Sequence, residues 1–241
     1  MIDKDTIRHR VWNTLTEKKL GRFPFPLTHR IPNFKGAEQA AHHVTTLKEY
    51  QEAKTVKVNP DAPQLPLRTQ VLVDGKTLLV PTPRLRAGFI LVKPEWVPKG
   101  EERKAASLKH IRTYGQEIPL TEIPTIDLFV AGSVAVTKDG RRIGKGEGYS
   151  DREYAILREL GQPHMPVVTT VHSVQVVEED VPKDRYDVIV DWIVTEQGCM
   201  KTDSPYEKPN GIYWEEVTDE EMNEMPVLKE LWEIKKKVKR I

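Results

Sequence analysis

Apolar residues recur at helical spacing from the start of the chain. Ile7, Val11, Trp12 and Leu15 fall on one stripe, while Lys4, Arg8 and Arg10 lie off it. With Asp3 or Asp5 as the cap, the pattern predicts a helix over residues 3–20. Residues 21–36 carry three prolines and two glycines, which forbid a long helix, so this stretch is expected to be irregular. Helical spacing returns over 37–51, with Ala40, Ala41, Val44 and Leu47 facing inward. Thr55–Val58 reads as a short strand, and Pro60, Pro63 and Pro66 are expected to break regular structure after it. Around the Asp74-Gly75 turn, Gln70–Val73 is either a strand or a helix end, and Thr77–Val80 is a strand. Pro81, Pro83 and Pro94 bracket a second irregular stretch, and the charged residues 100–113 are expected to be helical.

The second half is more apolar. Ile126–Val136 is a near-continuous hydrophobic run of the kind parallel sheets use, and it predicts one central strand. A helix is predicted over Asp151–Leu160, closed by Gly161, and a buried strand over Pro166–Val171. Tyr186–Val190 and Trp192–Val194 are strand-like and separated by Asp191. Residues 227–241 form a basic amphipathic helix with Leu228, Leu231, Trp232 and Val238 on one side, which either docks on its own domain or touches RNA or a membrane surface. Strands alternating with helices predict an α/β fold, a three-layer sandwich whose mainly parallel, Rossmann-like sheet is flanked by helices. The expected division is a domain over 1–200 and an extension over 201–241 packed on the same domain.

Composition narrows the class. A chain of 241 residues with 38% hydrophobic and 30% charged residues is expected to be a soluble globular protein. A net charge of +1 argues against a surface that binds nucleic acid everywhere, though it leaves room for a local basic patch. The single Cys199 excludes an internal disulfide framework and any multi-cysteine metal site, and it fits a reducing cytoplasm. No apolar run approaches 18 residues and no apolar leader opens the chain, so neither membrane span nor export signal is expected.

The candidate chemistry gathers in Gly140–Arg152. Gly144, Gly146 and Gly148 alternate, freeing the backbone to turn sharply and letting an anion approach main-chain N–H groups. Arg141, Arg142 and Lys145 supply positive charge, and Asp151 is placed to hold a divalent cation. A phosphate-bearing ligand needs those three parts. The other reading is a glycine-rich hairpin turn with solvated cations. The run is neither a P-loop nor a full dinucleotide fingerprint. The histidines lack metal-protease spacing, and His29 and His172 are read as structural.

The stretch Arg142-Ile143-Gly144-Lys145-Gly146-Glu147-Gly148-Tyr149-Ser150-Asp151-Arg152 resembles the Arg-Leu-Gly-x-Gly-x-Gly-Tyr-Tyr-Asp-Arg signature of 5-formyltetrahydrofolate cyclo-ligases, also called methenyltetrahydrofolate synthetases. Lys4-x-x-Ile7-Arg8, the strand Gly75-Lys76-x-Leu78-Leu79-Val80-Pro81, and Asp187 to Glu196 resemble further family segments in order. Residues 29–36, 80–86 and 132–136 are closest to the divergent methenyltetrahydrofolate synthetase domain-containing branch. Some of that branch carry an RNA-recognition module, for which residues 201–241 are too short.

The resemblance implies an enzyme using ATP and Mg²⁺ to convert 5-formyltetrahydrofolate to 5,10-methenyltetrahydrofolate. It implies that Lys4 and Arg8 bind ATP phosphates from one helix face, and that Arg142 and Lys145 neutralise phosphate charge. Gly144, Gly146 and Gly148 would bring the backbone close, and Tyr149 would pack at the nucleotide or folate. Arg142, Lys145 and Tyr149 are thus the expected catalytic group. Asp151, with Asp191, would hold Mg²⁺. Asp61 stands where the family carries a substrate-binding glutamate, and Arg84 and Arg86 would hold the folate glutamate tail or another anion. Two departures stand out: Ser150, expected with Asp61, Arg84 and Arg86 among the substrate-binding residues, replaces the signature's second tyrosine, and Glu147 lies inside the phosphate loop. The nucleotide half is therefore expected to be better kept than the folate half, with weak folate turnover. The expected partner is a reduced folate or similar anion bound by a monomer or homodimer. The alternatives are a paralogue with another small-molecule substrate and a non-catalytic nucleotide- or RNA-associated protein.

Overall fold

Asp3 caps the first helix, its carboxylate accepting the Thr6 amide at 2.9 Å and the Thr6 hydroxyl at 2.6 Å. In this computed structural model, which describes residues 1–238, helix α1 runs over Lys4–Glu17 and buries Ile7, Val11, Trp12 and Leu15. Next come two short antiparallel strands, β1 (Gly21–Arg22) and β2 (Asn33–Phe34), joined by a loop with cis bonds at Phe23–Pro24 and Phe25–Pro26. The helix predicted over 37–51 is two helices, α2 (Ala37–Val44) and α3 (Lys48–Glu52). Thr45 and Thr46 interrupt it, their hydroxyls donating to the His42 and His43 carbonyls at 2.6 and 2.7 Å.

Strand β3 (Thr55–Val58) is followed by helix α4 (Leu65–Val73), where the prolines predicted a break. Pro66 lies in the first helical turn, where a missing N–H costs nothing, so it starts the helix. Strands β4 (Thr77–Pro81), β5 (Phe89–Val92) and β6 (Gln116–Ile118) follow, with short helices α5 (Glu102–Ala106) and α6 (Ile111–Tyr114) between the last two. The apolar run 126–136 is not one strand. It splits into β7 (Leu128–Ala131) and β8 (Ala135–Thr137), which lie in different sheets. The break is at Gly132, where a Cβ would come within 2.8 Å of Ile31 and 2.9 Å of the Gln64 amide oxygen. Both halves are fully buried, so hydrophobicity alone could not divide them.

Strand β9 (Arg142–Ile143) returns antiparallel to β8, and helix α7 (Tyr149–Glu159) leaves the glycine loop. Strands β10 (Val167–Thr170), β11 (Val176–Val177), β12 (Trp192–Thr195) and β13 (Gly198–Lys201) complete the sheets. Tyr186–Val190 is not a strand; only an isolated bridge joins Ile189 to Arg141. The main sheet has the order β13-β12-β10-β7-β3-β4-β5-β6, parallel from β12 to β4 and antiparallel at β13, β5 and β6. A small sheet has the order β11-β8-β9.

Side chains alternate across the main sheet. Leu79, Phe129, Ala131 and Val167 join one core with Tyr154, Ile156 and Leu157 of α7. Leu78, Val80, Leu128 and Val130 join the other with Val44, Leu67 and Val71 from α2 and α4. The result is helices, sheet, helices. Helices α8 (Asp219–Glu224) and α9 (Pro226–Val238) add Met225, Val227, Leu228 and Leu231 to the α7 side. Glu159 of α7 fastens this segment, accepting the Ile212 amide (3.0 Å), the Trp214 indole N–H (3.0 Å) and the Lys235 ammonium (2.8 Å). Val238, expected on the apolar side of the last helix, is exposed, and residues 239–241, expected to continue that helix, lie outside the described residues. No helix among the described residues is long and apolar enough to cross a membrane.

Candidate functional site

Strand order reverses between β3 and β7: from β3 the chain moves outward to β4, then returns to place β7 on the other side. Such a switch point opens a crevice beyond the carboxyl ends of the strands. A cleft of about 1100 Å³ lies there, walled by Asn59–Asp61 after β3, Thr82 and Arg84 after β4, the glycine loop, and the Lys4–Arg8 face of α1.

Gly146 and Gly148 adopt φ of +106° and +73°, a region open to glycine, and Gly148 is the residue from which α7 starts. The free amides and positive end of α7 therefore face the cleft. Arg142 is buried beneath the loop. It donates to the Gly132 carbonyl at 2.8 Å and to the Asp151 carboxylate at 2.9 Å. The same Asp151 oxygen accepts the Val188 amide at 3.0 Å, which leaves the second oxygen without a partner among the described residues. Arg8 donates to the Gly144 carbonyl at 2.7 Å, tying α1 to the loop. Lys145 and Glu147 pair at 3.0 Å, so the carboxylate inside the loop is neutralised within it.

Lys4 touches Asp184 at 2.7 Å and Asp187 at 2.6 Å. Burial pulls its ammonium pKa down, yet the hydrogen bonds to both carboxylates outweigh burial and hold it above the ordinary lysine value. Burial pushes the Asp187 carboxyl up against the pull of Lys4. An incoming anion at Lys4 therefore competes with acids already in place.

The other expected residues divide. Arg142, Lys145, Tyr149, Ser150, Asp151, Asp61 and Arg84 share the cleft with Lys4, Arg8 and the loop glycines. Arg84 holds φ +53°, a left-handed conformation uncommon for a non-glycine residue. Arg86 points elsewhere, into a separate shallow cavity beside Glu220 and Glu224. Asp191 does not join Asp151. It precedes β12 at the amino end of the parallel strands, where it accepts the Val167 amide at 2.7 Å and pairs with Lys208 at 2.7 Å. Its place in the apolar run marks a strand start, and strand starts lie on the far side of the sheet from the crevice. Among the described residues no three or more His, Cys, Asp or Glu side chains cluster to hold a metal.

Sequence reading missed the floor of the cleft. Lys57 of β3 and Glu153 of α7 form a buried ion pair, with the ammonium 3.8 Å from the centre of the Phe129 ring. Burial lowers the lysine pKa and raises the glutamate pKa, and in each case the partner's charge opposes the shift. Arg68 is buried too, donating to the carbonyls of Ala106 (2.9 Å), Asn59 (2.7 Å) and Asp61 (2.9 Å), and burial pulls its pKa down to about 10. The half-buried Asp61 has its carboxyl pushed up by burial, opposed by Lys145 and Arg68. The available signal was the lysine inside Thr55-Val56-Lys57-Val58, a strand buried at all four positions.

The family model described as the 5-formyltetrahydrofolate cyclo-ligase family matches residues 3–196, which covers both walls of the cleft. The chain belongs to this family. Among curated relatives, the mouse methenyltetrahydrofolate synthase domain-containing protein is 44% identical over 242 residues, covering 98% of this chain and 64% of the relative. The bovine protein of the same name is 44% identical over 237 residues, covering 95% and 62%. The chain thus spans less than two thirds of the length of these relatives. The solution structure of 5,10-methenyltetrahydrofolate synthetase from Aquifex aeolicus shares the fold at 21% identity, with a TM-score of 0.53 over 85% of this chain and 95% of that one.

Proposed function

We propose that this chain is a cyclo-ligase that uses ATP and Mg²⁺ to convert 5-formyltetrahydrofolate to 5,10-methenyltetrahydrofolate. The observation that carries the reading is convergence: the glycine loop, the start of α7, Arg8, Arg142 and Lys145 meet at one cleft at the sheet's switch point. The formyl oxygen is a poor leaving group. Transfer of the γ-phosphoryl group to it makes phosphate the leaving group. The folate N10 then bonds to the formyl carbon and loses its proton, and the carbon–oxygen bond breaks. Such transfers depend mainly on positioning and charge stabilisation.

The residues suit those tasks. Loop amides and the α7 terminus receive phosphate oxygens, and Lys145 and Arg8 lie beside them. Mg²⁺ is held in many sites by one or two carboxylates plus substrate phosphates and water, and Asp151 with its second oxygen fits that minimal role. Bound there, Mg²⁺ would offset charge on the phosphates. Arg142 holds Asp151 in place, Tyr149 borders the nucleotide, and Asp61 and Arg84 face the folate side.

Asn59, Ser150 and Glu153 make one side of the cleft polar, with Lys57 buried behind them, and this favours a second reading, in which the same phosphoryl chemistry serves a more polar acceptor than folate. A turnover assay with Mg²⁺-ATP and 5-formyltetrahydrofolate, following methenyl product and ADP separately, tests the proposal. Equal formation of both is expected. ATP binding without methenyl product would transfer support to the second reading.

A further inference from the structure

The hydrogen-bond direction at the cleft floor is fixed by chemistry alone. The ammonium of Lys57 is fully buried and touches the Glu153 carboxylate and the Asn59 side chain. Whichever of Lys57 and Glu153 holds the proton they share, the lysine nitrogen has only N–H bonds left to turn towards Asn59, so the Asn59 atom facing it is the amide oxygen. The amide nitrogen therefore points the other way, 2.7 Å from the Ser150 hydroxyl oxygen and 3.4 Å from an Asp61 oxygen. That nitrogen only donates. Ser150 accepts from it, and the Ser150 proton must leave in another direction. Among the described residues the Ser150 hydroxyl finds no acceptor, and both Ser150 and Asn59 line the cleft.

We propose that Ser150 is a dedicated hydrogen-bond donor to the bound ligand, which presents a carbonyl or phosphoryl oxygen at this point. Lys57 and Asn59 are positioning residues that set the polarity of the hydroxyl. A serine whose neighbour had been an acceptor would have its proton occupied within the protein. The identification of the oxygen with the formyl group or the transferred phosphoryl group rests on the cyclo-ligase reading; the donor polarity does not.

The test uses Ser150→Ala, Asn59→Asp and the double variant, each titrated calorimetrically with Mg²⁺-ATP and, separately, with 5-formyltetrahydrofolate. Thermal melts check folding. Lys57 is left intact, because its removal would strand Glu153 unpaired. Asn59→Asp keeps an oxygen for Lys57 but turns an acceptor toward Ser150, which withdraws its proton from the ligand. Each single variant is expected to raise Kd for the same ligand by about three- to tenfold, the scale of one lost hydrogen bond. Asn59→Asp is expected to weaken binding less in the Ser150→Ala background than in wild type, because only the direct repulsion between the new carboxylate and the anionic ligand remains there. The ligand affected tells a phosphoryl from a carbonyl oxygen.

If the wild type binds both ligands and Ser150→Ala leaves both affinities within twofold, the donor role is overturned while the cyclo-ligase reading survives. Additive losses in the double variant would overturn the positioning role of Asn59. Binding of ATP that weakens in Ser150→Ala, with no folate binding, would uphold the donor and overturn the folate reading. A wild type that binds neither ligand overturns both. Should Asn59→Asp fail to fold, Ser150→Ala decides the donor role alone.

Discussion

Arg142 secures two parts of the site at once, the Gly132 carbonyl where β7 ends and the Asp151 carboxylate where α7 begins. Replacing it with Met leaves a mostly buried carboxylate without its partner, which typically costs about 3–5 kcal/mol. Urea unfolding of Arg142→Met should show a loss of that size; a loss below about 1 kcal/mol would contradict the arrangement. Asp61 gives a pH-dependent prediction. Burial raises its carboxyl pKa in the folded state, so folding is favoured by retained protonation below the unfolded value of about 4. That advantage disappears as pH rises through the higher folded value. Asp61→Asn, always neutral, is therefore expected to be more stable than wild type at pH 7 to 8, with the gain shrinking towards pH 4. Melting curves across that range check it, and a gain that grows on acidification would refute it. The glycines and cations of the loop were legible because their residue types carry the chemistry locally. The Lys57–Glu153 pair was not, because its partners lie on different elements 96 positions apart.

At the scale of elements, periodicity recovered α1 and α7, where one face is buried and spacing is regular, and short runs bounded by turn residues recovered β3 and β10, which are buried at every position. It failed where two physical causes leave the same pattern. A proline before an apolar stretch reads as a breaker whether it stops a helix or starts one, and α4 is a case of starting. A buried strand that bends into a second sheet remains hydrophobic throughout, as β7 and β8 show. The extension after β13 depends on Glu159, which gathers two N–H donors and one ammonium from it. Glu159→Ala is expected to cost about 1.5–3 kcal/mol, the scale of hydrogen bonds to a charged group. Limited proteolysis should then cut within 203–238 well before the sheet. Cleavage at the wild-type rate would mean that apolar contacts alone hold the segment.

At the scale of the molecule, the alternation of strands and helices was enough to anticipate a mainly parallel sheet between helical layers, as the shared fold with Aquifex aeolicus methenyltetrahydrofolate synthetase also has it. The antiparallel edges at β5 and β6 were hidden, because Pro81, Pro83 and Pro94 around β5 read as an irregular stretch and the three residues of β6 are too few to show a period. The sheet order positions the candidate site, because it opens the crevice between β3 and β7 to which the glycine loop comes. In the proposed cyclo-ligase reaction, phosphate leaves carrying the formyl oxygen. This is tested by supplying 5-formyltetrahydrofolate labelled with ¹⁸O in the formyl group, together with Mg²⁺-ATP, and measuring the phosphate by mass spectrometry. One labelled oxygen is expected in each phosphate released alongside methenyl product; phosphate released without label would contradict phosphoryl transfer to the formyl oxygen.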